Sequence, residues 1–242
     1  MTNVIIYGVI SVFPLILGSF LGAYLNLKEK LIGIVAAFGA GTLIAAITFG
    51  LMEEAFQLGG LDSSIVGFLI GGIAFIIGDM IIIQVGGRGH KRYHSAQNST
   101  GWGIVLAAVL DGIPESFALG ISLALNSKLG LLVLVAIIFN NLPEAISSAY
   151  DLRHARKSIK EIILIWSIVA LAGLLSVIAG FLVFASISPD VTAMFEAIAA
   201  GAVLAMLAVT MMPEAYRESY MGAALGTLGG FLLIFILSKA GV

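Results

Sequence analysis

Long apolar runs, broken by short clusters of charged and turn-forming residues, make up most of the chain. Cutting at the polar clusters leaves eight apolar stretches, at about 4–26, 32–56, 64–86, 102–125, 129–151, 159–185, 190–216 and 221–240. Each is long enough to cross the ~30 Å hydrocarbon core as a helix rising about 1.5 Å per residue. Alternating apolar and polar positions over about ten residues, the mark of an outer-membrane barrel, are absent. The pattern predicts an all-α membrane protein with eight transmembrane helices. No basic leader precedes the first stretch, so a cleaved signal peptide is not expected.

The chain is 60% hydrophobic and 11% charged, with a mean hydropathy of +1.11. An ordinary water-facing domain carries roughly 25% charged residues. That deficit sets aside a soluble enzyme, a nucleic-acid binder and a disordered scaffold, and makes the lipid bilayer the first partner. Without cysteine there is neither a disulfide framework nor a thiolate metal site. The 242 residues fit one transmembrane domain, 1–242.

Charge then orients the stretches. Lys28 and Lys30 follow the first, Arg88, Lys91 and Arg92 the third, Arg153, Arg156, Lys157 and Lys160 the fifth, and Arg217 the seventh. Only Lys128 and Lys239 fall on the opposite side. Short loops rich in lysine and arginine stay cytoplasmic. The loop at about 87–101 is therefore expected in the cytoplasm and both termini outside, in a multi-pass protein of the cell (inner) membrane.

Two internal matches add symmetry. Segment 37–56 aligns with 197–216 at a constant offset of 160, and Met52-x-Glu54-Ala55 recurs as Met212-x-Glu214-Ala215. Asp111-Gly112-Ile113-Pro114-Glu115 recurs as Asn140-Asn141-Leu142-Pro143-Glu144, at an offset of 29. Each match joins stretches that cross in opposite directions. Both fit one pseudo-twofold axis in the membrane plane, hence a 3+2+3 inverted-repeat bundle, a recurring plan among secondary transporters.

Asp79, Asp111, Glu115 and Glu144 lie well inside apolar stretches. A charge near a helix centre costs ~2.5–3.5 kcal/mol on insertion scales. No lysine or arginine lies deep in any stretch to pair with them, so protons, a mobile cation or both must balance the charge. Asp111 and Glu115 are four residues apart, as are Asn140 and Glu144, so each pair projects from one helix face. Pro114 and Pro143 disrupt bonding to the carbonyls of Leu110 and Phe139, which become further oxygen donors or water anchors. Two facing helices of this kind make an oxygen-lined cation site. The candidate metal ligands are Asp111, Glu115, Asn140 and Glu144, with Asn141 a further candidate.

Packing by protonated acids does not explain why the whole pattern is duplicated. Asp79 stands alone and reads equally as a structural acid. Glu53, Glu54, Glu196 and Glu214 lie near the ends of stretches, where solvated carboxylates are ordinary. His90, His94 and His154 lie on basic segments and read as solvated surface residues ahead of a shared loop metal site.

At these residues the chain resembles the ZIP (Zrt-, Irt-like protein) family of divalent metal transporters, as a divergent prokaryotic-type member. DGIPES and NNLPEA stand where that family has HNxPEG-like motifs in spans four and five, and GAGTLIAA of span two is also similar. The resemblance covers nearly the whole chain. It implies eight spans, outward termini, a cytoplasmic third loop, and a carrier unit of spans one, four, five and six sliding against spans two, three, seven and eight. It also implies a first metal site on Asp111, Glu115, Asn140 and Glu144. Departures stand beside it: Asp111 replaces the usual histidine, Gly112 the following asparagine, and Ala145 a glycine. Gly173, in LAGLLSV, lies near the place of a span-six glutamate that serves a second metal in many members. The second site, normally helped by the equivalents of Gly112, Asn141 and Gly173, is thus expected to be lost or weak.

The function expected is elevator-like transport of a divalent metal ion as substrate, zinc with manganese or ferrous iron as further cargo, without a prosthetic group. A homodimer is compatible with this reading. The alternative is a proton- or sodium-coupled carrier of another solute, using the same carboxylates for the coupling ion. An intramembrane hydrolase is disfavoured, since HExxH and GxSxG are absent and no histidine lies in a span.

Overall fold

A computed structural model describes residues 2–25, 27–84, 101–125, 127–185 and 187–241, and among these every regular element is helical. The helices are α1 (Thr2–Tyr24), α2 (Glu29–Ala46), α3 (Met52–Gln84), α4 (Gly101–Leu125), α5 (Ser127–His154), α6 (Ile159–Phe184), α7 (Pro189–Met206), α8 (Met212–Glu218) and α9 (Tyr220–Ala240). One π-helical segment, Ile47–Leu51, continues α2 into α3, and another, Leu207–Met211, continues α7 into α8. A capping box opens α6: Ser158 Oγ accepts from the Glu161 amide at 3.2 Å, and the Glu161 carboxylate accepts from the Ser158 amide at 2.8 Å.

Among the described residues, seven helical stretches are long and apolar enough to cross a bilayer. The sequence pattern predicts eight. The difference lies in Glu29–Gln84, where the second and third stretches run on as one 56-residue helical trace. That trace is not one straight rod. At Gly60, φ of 70° and ψ of −171° leave the helical region, a conformation open to glycine and poorly tolerated by side chains with a Cβ.

Large apolar side chains point outward, where lipid meets them: Val9, Phe13 and Phe20 on α1, and Leu225, Leu228 and Leu232 on α9, are all exposed. The helix interfaces instead use small residues that let backbones approach. A methyl group at Gly67 or Gly71 of α3 would run into the carbonyls of Met194 or Ile198 on α7. A methyl at Gly226 or Gly230 of α9 would likewise run into the carbonyls of Ile34 or Phe38 on α2. Ile34 and Phe38 precede Met194 and Ile198 by 160 positions, and the two π-helical segments are separated by the same 160 positions.

Packing sorts the helices into two groups. In one, α1 packs on α5 and α6, and α4 on α5 and α6; in the other, α2 packs on α9 and α3 on α7. Tight glycine contacts recur inside the first group, with Gly18 and Gly22 of α1 against carbonyls of α5, and Gly120 of α4 against α6. The groups meet mainly through α2 against α5 and α4 against α7.

Candidate metal centre

Helices α4 and α5 continue through Pro114 and Pro143 and carry the two Pro-Glu motifs. Asp111, Glu115, Asn140 and Asn141 are all buried, and Glu144 is half-buried. Asn140 Nδ2 donates to both carboxylate oxygens of Glu115, at 3.0 and 3.1 Å. Its own Oδ1, sealed from solvent, has no hydrogen-bond partner. Asp111 and Glu144 stand near enough for their charge to be felt at Glu115. Among the described residues, however, no three acidic or imidazole side chains form a group that would hold one metal ion. The expected ligands are neighbours and not a closed coordination shell.

Two cavities flank the motifs, and Glu144 lines both. The first is also lined by Asp111, Pro143, Ser147, Thr210 and Glu214, and there Ser147 Oγ donates to Glu214 Oε1 at 2.5 Å. The second is lined by Gly112, Ser116, Asn141 and Gly173, the region expected to carry a lost or weakened second site. Among the described residues, no neighbouring element comes within 4 Å of a methyl group placed on Gly112, so that wall is open toward them. A methyl on Gly173 would sit 3.1 Å from Ser116 Oγ and from Val12.

Two expectations change in detail. Asn141 faces the second cavity, but its Nδ2 donates to the Ser11 carbonyl of α1 at 2.8 Å, so the amide also ties α5 to α1. The Phe139 carbonyl, four residues before Pro143, lies against α2, where a methyl on Gly39 would be 2.8 Å from it. It helps set the approach of α2 to α5.

The other titratable residues are spread out. Asp79 is half-buried on α3 and lines neither cavity. Glu53 is exposed and accepts from Gln57 Nε2 at 2.6 Å. His154 is exposed and lies against Tyr150 in a tilted ring contact, with centroids 4.1 Å apart. His90 and His94 lie outside the described residues. Sequence reasoning passed over Ser147, which binds Glu214, and misjudged Glu196, which is fully buried. The signal for Glu196 was present in its neighbours: Ala193, Ala197 and Ala200 are small residues at helical spacing and mark a packed face.

The family model described as ZIP zinc transporter matches residues 84–238, which takes in both Pro-Glu motifs. No curated protein matches the chain.

Proposed function

The chain belongs to the ZIP zinc transporter family, and from that premise we propose that Asp111, Glu115, Asn140 and Glu144 hold the metal ion between α4 and α5 during transport. Divalent metal transport as such follows from the family, whose members are transporters and not enzymes. Zinc is the expected substrate, with manganese and ferrous iron accepted as well.

One observation carries the assignment. The Asn140 amide group places its partial positive charge across both oxygens of Glu115, deep in a bundle with no nearby lysine or arginine on either helix at that depth. A cation arriving there displaces that amide, and the unpartnered Asn140 Oδ1 becomes an oxygen ligand after rotation of the side chain. Asp111 and Glu144, reached from the first cavity, complete the set.

The same reading makes Glu29–Gln84 two crossings, turning back at Gly60. At about 1.5 Å per residue its length would be roughly 84 Å, far more than the ~30 Å core. Eight crossings in a 3+2+3 inverted repeat, both termini outside, then form a single domain. The paired glycine contacts, whose glycines are displaced by 159 positions and whose carbonyl partners by 160, and the π-helical segments displaced by 160 support that repeat. Elevator-like movement is supported by the two helix groups: backbones approach at several glycines within each, while between them such an approach is seen where Gly39 of α2 meets Phe139 and Asn140 of α5.

Metal-dependent thermal stabilisation of purified protein tests the site. A ligand at a hundredfold excess over its Kd stabilises by ~2.7 kcal/mol. Zinc is expected to raise Tm of the wild type and not that of Glu115→Ala. An equal shift in both proteins removes Glu115 from the site.

A further inference from the structure

We propose that Glu196, Glu54 and Ser122 form a second cation-binding station, on the outer side of the Asp111–Glu115–Glu144 site, that takes up the divalent metal ion before it reaches that site. The inference rests on the transport reading above, since it places the station on the same path.

Glu196 is 0% exposed, yet its Oε2 has no hydrogen-bond partner. Its Oε1 accepts one long bond, 3.4 Å from Ser122 Oγ. Buried polar groups kept for packing are ordinarily satisfied, and an orphaned carboxylate oxygen calls for a partner of another kind. Glu54 of α3, which is half-buried, stands near enough for its charge to be felt at Glu196, where α3 and α7 pack together, with a methyl on Gly59 2.7 Å from Ala193. Two carboxylates and a hydroxyl suit a hard divalent cation.

Their position adds the path. Ser122 follows Glu115 by seven residues on α4, which returns it to the same helix face about 10.5 Å along the axis. Ala118 and Leu119 lie between them, both sealed, and form an apolar barrier between station and site. With both termini outside, α4 runs outward, so Ser122 lies on the outer side of Glu115. The repeat agrees: Glu54 corresponds to Glu214 at the offset of 160, and Glu214 lines the first cavity beside Asp111 and Glu144. Glu54 is then the outer counterpart of an acid that already stands next to the site.

The test counts bound manganese by electron paramagnetic resonance on the purified full-length protein and measures metal uptake in proteoliposomes. The wild type is expected to bind two ions. Glu196→Gln and Glu54→Gln are each expected to lose one ion and to raise KM several-fold, more than they lower the maximal rate. Glu115→Ala is expected to lose transport but keep the outer ion. Should Glu196→Gln fail to fold, Glu54→Gln decides the matter, because Glu54 is only half-buried. Wild-type manganese stoichiometry and KM in Glu54→Gln would overturn the proposal and make these structural acids. So would a single wild-type ion that is lost in Glu115→Ala and kept in Glu54→Gln, while the central site would still stand.

Discussion

Asn140 Nδ2 bridges both carboxylate oxygens of Glu115, at 3.0 and 3.1 Å, in a place that solvent does not reach. An amide so placed screens a buried acid until a stronger positive charge arrives. It also joins α5 to α4, so on the proposed reading metal binding at this point would be coupled to how the two Pro-Glu helices sit together.

Glu115→Ala and Glu144→Ala are each expected to abolish metal uptake into proteoliposomes while the protein still inserts and remains monodisperse. Asn140→Ala is expected to weaken uptake and to lower Tm as well, because it leaves a buried acceptor unmet, a loss of about 1–3 kcal/mol. Near-wild-type uptake in either glutamate variant would remove that residue from the site.

Metal preference depends on Asp111. The proposed ligands are all oxygen donors, which suit manganese, whereas an imidazole improves the match to zinc. Asp111→His is expected to raise the ratio of zinc to manganese affinity roughly tenfold, equivalent to ~1.4 kcal/mol. Competition binding at several pH values checks it. A ratio that stays constant while the pH dependence moves would make Asp111 a proton acceptor and not a ligand.

Two glycines separate steric from conformational cost. Gly71 lies against the Ile198 carbonyl, so Gly71→Val must push α3 from α7, with an expected loss of about 1–3 kcal/mol or more. At Gly60 a methyl group would have no atom of the other described residues within 4 Å, so Gly60→Ala costs only the strain of a backbone conformation open to glycine, about 1–3 kcal/mol. Melting in detergent should show the larger fall for Gly71→Val, and equal or reversed falls would contradict the close packing of α3 on α7.

Topology can be checked because the chain has no native cysteine. Lys160 and Asp62 are both exposed. Cysteine at position 160 should react only with a reagent on the cytoplasmic side, and cysteine at position 62 only with one outside. The opposite pattern would reverse the orientation inferred from the basic loops.

The helical class, the places of the apolar stretches and the paired Pro-Glu motifs could be read from the amino-acid order alone. Hydrophobic length and i, i+4 spacing are local properties, and a charged residue in an apolar run is costly wherever the helix packs. The offset of 160 was also legible, because the duplicated residues sit in line. Pairing across helices was not. That Asn140 holds Glu115, that Asn141 holds the Ser11 carbonyl of α1, and that Glu196 is sealed against Ser122 depend on the rotation of one helix against another. A near-uniform series of small and apolar side chains leaves that rotation open. Only the close approach of backbones at glycines such as Gly71 and Gly230 decides it, by selecting which faces turn inward and which acids are shut away from water.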